Sequence, residues 1–340
     1  MSKLKVGLVF GGKSAEHEIS LMSARSVIAN ADKDKYKIIP VAISKEGYWL
    51  PESKSEKIIK NNCSQVSIDK DIYSSIGESL KNFLDQDIDL LFPLIHGPFG
   101  EDGRIQGFFE MLNIPYVGAG VMGSALGMDK VKMKEIFAFY DLPQVNYQVI
   151  NYNQFNTKYG FKLELEYPCF VKPANMGSSI GITKISDKKE LNNALTEAFS
   201  YDKKVIIEEG IDCREIECSV LGNYKIQASL PGEIKPAHEY YDYEAKYVDE
   251  DTELIIPAQL SENKIKEVQK LAIKAFEVLD CRGFARLDFF IRSKDNKLLI
   301  NEINTIPGFT KYSMYPKLWQ ETGIDYKTLI DRLISLAQKM

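Results

Sequence analysis

An uninterrupted apolar run, Val6-Gly7-Leu8-Val9-Phe10, opens the chain and ends in Gly11-Gly12, and further apolar runs lie at Ile38 to Ile43 and Asp89 to Ile95. Runs without polar alternation suit strands buried on both faces, as in a parallel sheet. Between the first two, Ser14 to Asn30 holds a serine able to cap a helix and two early carboxylates, Glu16 and Glu18, where a helix dipole favours negative charge. A βαβ unit is therefore expected at the start. Trp49 to about Ser79 is polar, lysine-rich and weakly periodic, which predicts a surface excursion of this first unit with no visible chemistry.

Glycine density rises from Val117 to Gly123, after which Met133, Ile136, Phe137 and Tyr140 recur at helical spacing, so a domain boundary is placed near residue 120. Short β-rich runs follow at Tyr167 to Lys172, Lys204 to Glu208 and Glu215 to Leu221, with Ser186 to Ser200 readable as a helix, and predict a second, smaller α+β unit. Ile265, Val268, Ala272, Phe276 and Leu279 then mark one face of an amphipathic helix, followed by two strands and a closing helix from about Tyr326.

With 340 residues, 44% of them hydrophobic, the chain can bury the cores of two or three compact units. A formal net charge of -5 offers no basic field for nucleic acid, which leaves small molecules as the expected partners. Val6 to Phe10 is too short for a signal-peptide core or a membrane span, so a cytoplasmic location without membrane association is expected. Five cysteines without CxxC spacing and three histidines argue against a zinc site or a disulfide framework.

The strand patterns Phe284 to Phe290 and Leu298 to Asn304 are joined by the polar turn Ser293 to Lys297. Alternation puts Arg286 and Asp288 on one face of the first strand and Glu302 and Asn304 on one face of the second. Closure around Asp295 would set Asp288 opposite Glu302. Two carboxylates and an amide oxygen on one face would repel unless cations lie between them, and oxygen-only ligands point to magnesium. A solvent-facing hairpin of ordinary alternating polarity would read the same from these strands alone.

Phe170 to Gly181 reads as a strand ending in Lys172 and opening into a small-residue loop whose N–H groups could approach phosphate, although the GK[ST] of a Walker A loop is absent. Gly11 to Glu18 lacks the GxGxxG of a dinucleotide site, and Glu16 could hold an ammonium group or merely favour a helix dipole. His96 emerges at a strand's carboxyl end, where it could face a ligand or satisfy loop backbone. Tyr240 to Tyr247 lacks a regular period and reads as a lid or as a tyrosine-rich surface loop.

Taken in order, GGKSAEHEIS, HGPFGEDG, MDK, FVKPANMGSSIG, VIIEEG, YDYEAKY, ARLDFF and NEINTIPGFTKYSMYP resemble the D-alanine–D-alanine ligase family of the ATP-grasp superfamily, over nearly the whole chain. The resemblance implies an α/β protein: a preATP-grasp parallel-sheet domain over residues 1–120, then a two-subdomain ATP-grasp fold divided as 121–209 and 210–340. It implies ATP and two magnesium (or manganese) ions, and the joining of two D-alanine molecules through an acyl phosphate for peptidoglycan synthesis.

Residue by residue, the resemblance gives Lys130 and Lys172 the phosphates and closes the Gly177-Ser178-Ser179 loop over them. Glu208, Glu209 and Ile211 would line the adenine pocket, Glu215 would hold the ribose, and Asp288, Glu302 and Asn304 would bind metal. Glu16 would take the first substrate's ammonium, Arg286 and the Gly308 N–H the oxyanion, and Lys246 the charge of the transferring phosphoryl group. Ser313 and Met314 would receive the second substrate's carboxylate beside His96, while Glu16, Ser178 and Tyr247 would lock the lid. Tyr247 favours an amine nucleophile over D-lactate, and Met314 stands where some members have leucine. The family also implies a homodimer. Other expectations kept open are a ligase adding D-serine or D-lactate and a silent binding protein on the same scaffold; the full set Arg286, Asp288, Glu302, Asn304 and Lys246 argues against the latter.

Overall fold

The computed structural model describes residues 2–66, 75–155, 161–235 and 253–339. Its first unit comprises β1 (Leu4–Gly11), α1 (His17–Asn30), β2 (Tyr36–Ile43), α2 (Glu52–Lys60), α3 (Ile76–Leu84), β3 (Leu90–Pro93) and α4 (Arg104–Met111). The strands form a parallel sheet in the order β2-β1-β3. Val6, Leu8 and Phe10 pack on one face with Leu21, Ala24 and Val27 of α1, and Val9 packs on the other with Val41, Trp49 and Phe83. Burial on both faces is why these strands show no polar alternation.

One expectation fails here. Ser14 does not cap α1: Glu16 holds the N-cap position without a side-chain bond, and the buried Ser14 Oγ has no hydrogen-bond partner among the described residues. Gly11 and Gly12 turn the chain with φ of 91° and 89°, which delays the helix to His17, whose N–H reaches the Ser14 carbonyl at 3.3 Å. The polar excursion packs on this same unit: α2 covers β2, Ser55 and Ile58 are buried, and the Trp49 ring lies 4.5 Å from that of Phe83. Its residues 67–74 lie outside the described part.

Next come α5 (Val121–Met128), α6 (Lys130–Phe139), β4 (Tyr147–Asn151), α7 (Tyr152–Phe155), β5 (Cys169–Pro173), β6 (Thr183–Ile185), α8 (Leu191–Tyr201) and β7 (Lys204–Glu209). Their strands form an antiparallel sheet, β4-β7-β5-β6, with Leu191, Ala194, Leu195 and Ala198 of α8 packed against it. The helix expected from Ser186 starts at Leu191 because side chains compete for the preceding backbone: the Ser186 N–H donates to Glu190 Oε2 and that of Lys189 to Asp187 Oδ1. In α6, Met133 and Phe137 are buried as expected, whereas Tyr140 lies past the last turn, exposed.

The third unit holds β8 (Cys213–Gly222), β9 (Gln227–Ala228), β10 (Gly232–Lys235), β11 (Glu253–Ile255), α9 (Glu262–Val278), β12 (Gly283–Arg292), β13 (Lys297–Asn304), α10 (Met314–Glu321) and α11 (Tyr326–Ala337). Its main path is β11-β10-β8-β12-β13, with β9 on β8. Glu215 to Leu221 therefore pairs with β12 and belongs to this sheet, not to the second unit. Ser261 caps α9 by accepting the Lys264 N–H, and Val268, Ala272 and Phe276 enter a core shared with Ala285, Leu287 and Ile300. The closing helix α11 returns to the start of the chain, where Leu329, Ile330, Leu333 and Ile334 join Val6 and Leu8 in one core. Among the described residues no helix is long and apolar enough to cross a membrane.

Candidate active site

A cleft of about 1000 Å³ is bounded by all three units. Glu16, His96, Lys130, Lys172, Gly177, Ser178, Ser179, Glu208, Glu209, Ile211, Glu215, Arg286, Asp288, Glu302, Asn304, Gly308, Ser313 and Met314 all line it. Lys246 and Tyr247, and with them the lid reading of Tyr240 to Tyr247, lie outside the described residues.

On the third sheet, Asp288 stands opposite Glu302 on β13 and opposite Glu217 on β8, so three carboxylates share one cross-strand row. Glu217 is a site residue that the sequence reading missed. The mutual repulsion of this row is met by cations of the chain itself. Arg286 forks onto both Asp288 oxygens at 2.7 and 2.8 Å and approaches Glu217 Oε2 at 3.0 Å, while Lys130 Nζ lies 3.6 Å from Glu302 Oε2. The Asn304 amide donates to Asp288 Oδ2 at 2.9 Å. Among the described residues no cluster of three or more His, Cys, Asp or Glu is arranged to hold a metal unaided, and the expected set adds an amide oxygen to two carboxylates.

Across the cleft, Asp129 caps α6 by accepting the N–H groups of Val131 and Lys132, which sets Lys130 in the first turn with its Nζ on the Met176 carbonyl at 2.8 Å. Lys172, at the end of β5, lies 2.6 Å from Glu208 Oε2, and Lys134 of α6 lies 3.0 Å from Glu208 Oε1. Glu208 thus compensates charge rather than offering the cleft a free acceptor. Burial alone would raise its carboxyl, but the two lysines hold it well below the usual range. Burial opposes the charge of Lys172 too, yet Glu208 holds that ammonium above its ordinary value, whereas burial prevails at Lys134 and lowers it.

Three loops converge at the near end. Ser178 and Ser179 have left-handed backbone, φ 51° and 59°, a cost tolerated where loops are shaped for ligands, and the Ser178 Oγ is buried without a hydrogen-bond partner among the described residues. Glu16 Oε2 lies so close to Gly97 and Gly177 that a Cβ there would approach it to 2.5 and 3.2 Å. His96 is 2% exposed and uses both ring nitrogens: Nδ1 donates to the Ile306 carbonyl at 2.8 Å, leaving Nε2 to accept from the Ser23 hydroxyl at 3.1 Å. Burial lowers its pKa, so the ring is a neutral tie between loops rather than a free proton carrier. Ser23 in turn accepts the Phe309 N–H.

Glu101 makes a parallel tie, accepting the Gly97 N–H at 2.8 Å and the Ile306 N–H at 3.0 Å. Burial first, and the Glu16 charge second, push its carboxyl up to about 8. The sequence reading passed over it for His96, although it stands in the same HGPFGEDG segment. Ser313 Oγ accepts the Thr310 N–H at 3.1 Å, and a Cβ on Gly308 would come within 2.9 Å of it. Met314 packs its side chain on Ile234 and Leu318, which leaves its backbone as what it can present to a ligand.

Two family models match the chain, described as the D-ala D-ala ligase N-terminus over residues 5–119 and the D-ala D-ala ligase C-terminus over residues 136–335. D-alanine–D-alanine ligase of Halothermothrix orenii is 54% identical over 342 residues, covering 99% of each chain. The ligase of the same name from Thermoanaerobacter sp. (strain X514) is 50% identical over 352 residues, covering 99% of this chain and 97% of that one. Among solved structures, VanG D-Ala:D-Ser ligase from Enterococcus faecalis has a TM-score of 0.83 at 32% identity, covering 99% of this chain and 100% of that one. The D-alanine-D-alanine ligase from Coxiella burnetii has a TM-score of 0.81 at 34% identity, covering 100% and 95%.

Proposed function

The chain belongs to the D-alanine–D-alanine ligase family, with the ATP-grasp fold, and from that membership we infer that it joins two D-alanine molecules at the cost of ATP, giving D-alanyl-D-alanine, ADP and phosphate for peptidoglycan synthesis. The observation that carries the reading to residues is the convergence of phosphate-type lysines, an acidic strand face and a glycine-serine loop on one cleft. A carboxylate is a poor electrophile and hydroxide a poor leaving group. Transfer of the γ-phosphoryl group to the first D-alanine carboxylate gives an acyl phosphate, which the second D-alanine amine attacks and from which phosphate departs.

In this assignment Lys130 and Lys172 attract the phosphates, Gly177 to Ser179 cover them, Glu209 and Ile211 border the base, and Glu215 takes the ribose. Glu16 receives the first ammonium, Arg286 and the Gly308 N–H the oxyanion, and Ser313 with the Met314 backbone the second carboxylate. The resemblance alone assigns Lys246 to phosphoryl transfer and Tyr247 to the lid and to preference for an amine. The donor set Asp288, Glu302 and Asn304 fits magnesium, being all oxygen and aligned on one sheet face beside the lysines. When bound, the metal would neutralise phosphate charge. A homodimer is part of the proposal, and light scattering of the purified protein tests it.

The functional test is phosphate release by purified protein with ATP, magnesium and D-alanine, with the product identified by mass spectrometry. Controls are L-alanine, and D-alanine with D-lactate or D-serine. Stoichiometric phosphate and D-alanyl-D-alanine are expected; nucleotide binding without turnover would overturn the reading.

A further inference from the structure

We propose that Lys134 is a positioning residue for nucleotide binding: by neutralising Glu208 from behind, it leaves the Lys172 ammonium with charge to direct at a phosphate in the cleft. The inference deepens the reading of the cleft as the ATP site and rests on it.

The three groups come from three elements, Lys134 from α6, Lys172 from β5 and Glu208 from β7, and their side chains are 1%, 11% and 3% exposed. Each lysine faces a different carboxylate oxygen: Lys172 donates a hydrogen bond at 2.6 Å, and Lys134 stands at 3.0 Å as an ion pair without hydrogen-bond geometry. Two ammoniums against one carboxylate sum to one positive charge. Without Lys134, Glu208 and Lys172 would be a closed neutral pair, with little left for an anion. Lys172 lines the cleft and Lys134 does not, so Lys134 acts on a ligand there without touching it, through its ion pair with Glu208 and through its field at Lys172 and Glu302.

Apart from Glu208, the Lys134 ammonium meets only the Tyr147 ring among the described contacts, at 5.8 Å, which is weak compensation for its burial. Burying an ammonium costs more than burying an apolar chain of similar size, and buried ion pairs are often replaced by apolar residues without loss of stability. Lys130 and Lys134 also stand four residues apart on α6, so one helix face carries a lysine that lines the cleft and a lysine that backs it.

The test compares Mg·ADP affinity by calorimetry, and KM for ATP and for D-alanine, in the full chain and in Lys134→Met and Lys134→Met/Glu208→Gln. The single variant is expected to bind Mg·ADP about tenfold more weakly, with the D-alanine KM within about twofold of wild type. The double variant restores one uncompensated charge on Lys172 and is expected to recover most of the affinity, which a loss of packing would not do. Wild-type affinity in the single variant, or a folded double variant no tighter than the single, would overturn the proposal. If Lys134→Met alone does not fold, the double variant decides: affinity near wild type supports the charge count, and a tenfold loss sinks it. Wild-type protein that binds no Mg·ADP would instead overturn the nucleotide reading itself.

Discussion

Asp288 on β12 faces Glu302 on β13 directly across an antiparallel pair, and the register shifts by a bulge immediately after Asp288. Pairing resumes at Phe289 and Ile300, so the bulge takes up Asn301 and sets Glu302 against Asp288, and both carboxylates line the cleft. Removing one charge from this pair should act on turnover more than on fold. Glu302→Gln is expected to lower kcat by about 100-fold while leaving the thermal midpoint within a few degrees. Steady-state rates over a magnesium titration check it; near wild-type turnover at ordinary magnesium would remove Glu302 from the metal set.

Ser178 offers a separation of function from stability. Its hydroxyl is buried and unpartnered among the described residues, so Ser178→Ala removes no hydrogen bond from that part of the structure and should leave stability within about 0.5 kcal/mol of wild type. Turnover should nevertheless fall by about tenfold or more if the hydroxyl finds its partner during catalysis. Melting curves and kcat/KM on the same preparation decide, and unchanged kcat/KM would count against the role.

Gly308 tests the substrate loop. Alanine there would put a Cβ 2.9 Å from Ser313 Oγ, forcing apart the two residues proposed to meet the oxyanion and the second carboxylate. Gly308→Ala is expected to cost about 1–3 kcal/mol of stability and to raise the KM for the second D-alanine. A variant with wild-type kinetics would show that the loop gives way without consequence.

Two ties between the same loops should respond to pH with opposite sign. Burial lowers the pKa of His96 from its ordinary 6.5, so the unfolded chain takes up the proton first, and stability is lost as pH falls below about 6.5. His17, also lowered by burial, adds to that slope. Glu101 is raised from 4.5 to about 8, so its contribution is present below 4.5 and is lost as pH rises toward 8. His96→Gln should flatten the acid limb and Glu101→Gln the alkaline one, in denaturant midpoints measured from pH 5 to 9. Each slope is at most about 1.4 kcal/mol per pH unit per group.

What could be read from the sequence was local. Two-residue alternation and one short polar turn put Asp288 near Glu302, but the register at the turn, Arg292 against Lys297, would by itself set Asp288 against Asn301, and the bulge supplies the remaining residue. The burial of Val6, Leu8 and Phe10 follows from an apolar run with glycines at its end. Ser14 misled because a serine before a helix says nothing about the two left-handed glycines that shift the helix start. His96 and Glu101 could not be read as ties, because their common partner, Ile306, lies 210 and 205 residues away. Lys134 was hidden differently: between Lys132 and Glu135, beside the apolar positions Met133, Ile136 and Phe137, a lysine reads as solvated, and only the fold sets Glu208 against it.

The return of α11 to the first sheet bears on how the molecule is made. Its Leu333 and Ile334 share a core with Val6 and Leu8, and the helix touches α1, β3 and β12. A ribosome releases the strand at the beginning some three hundred residues before the helix that covers it. Throughout that interval the nascent N-terminal unit carries an apolar face that α1 covers only in part, so the order of synthesis cannot be the order of completion. The protein closes as a ring, with its last helix as the clasp, and losing the final turns should expose a hydrophobic surface at the opposite end of the chain.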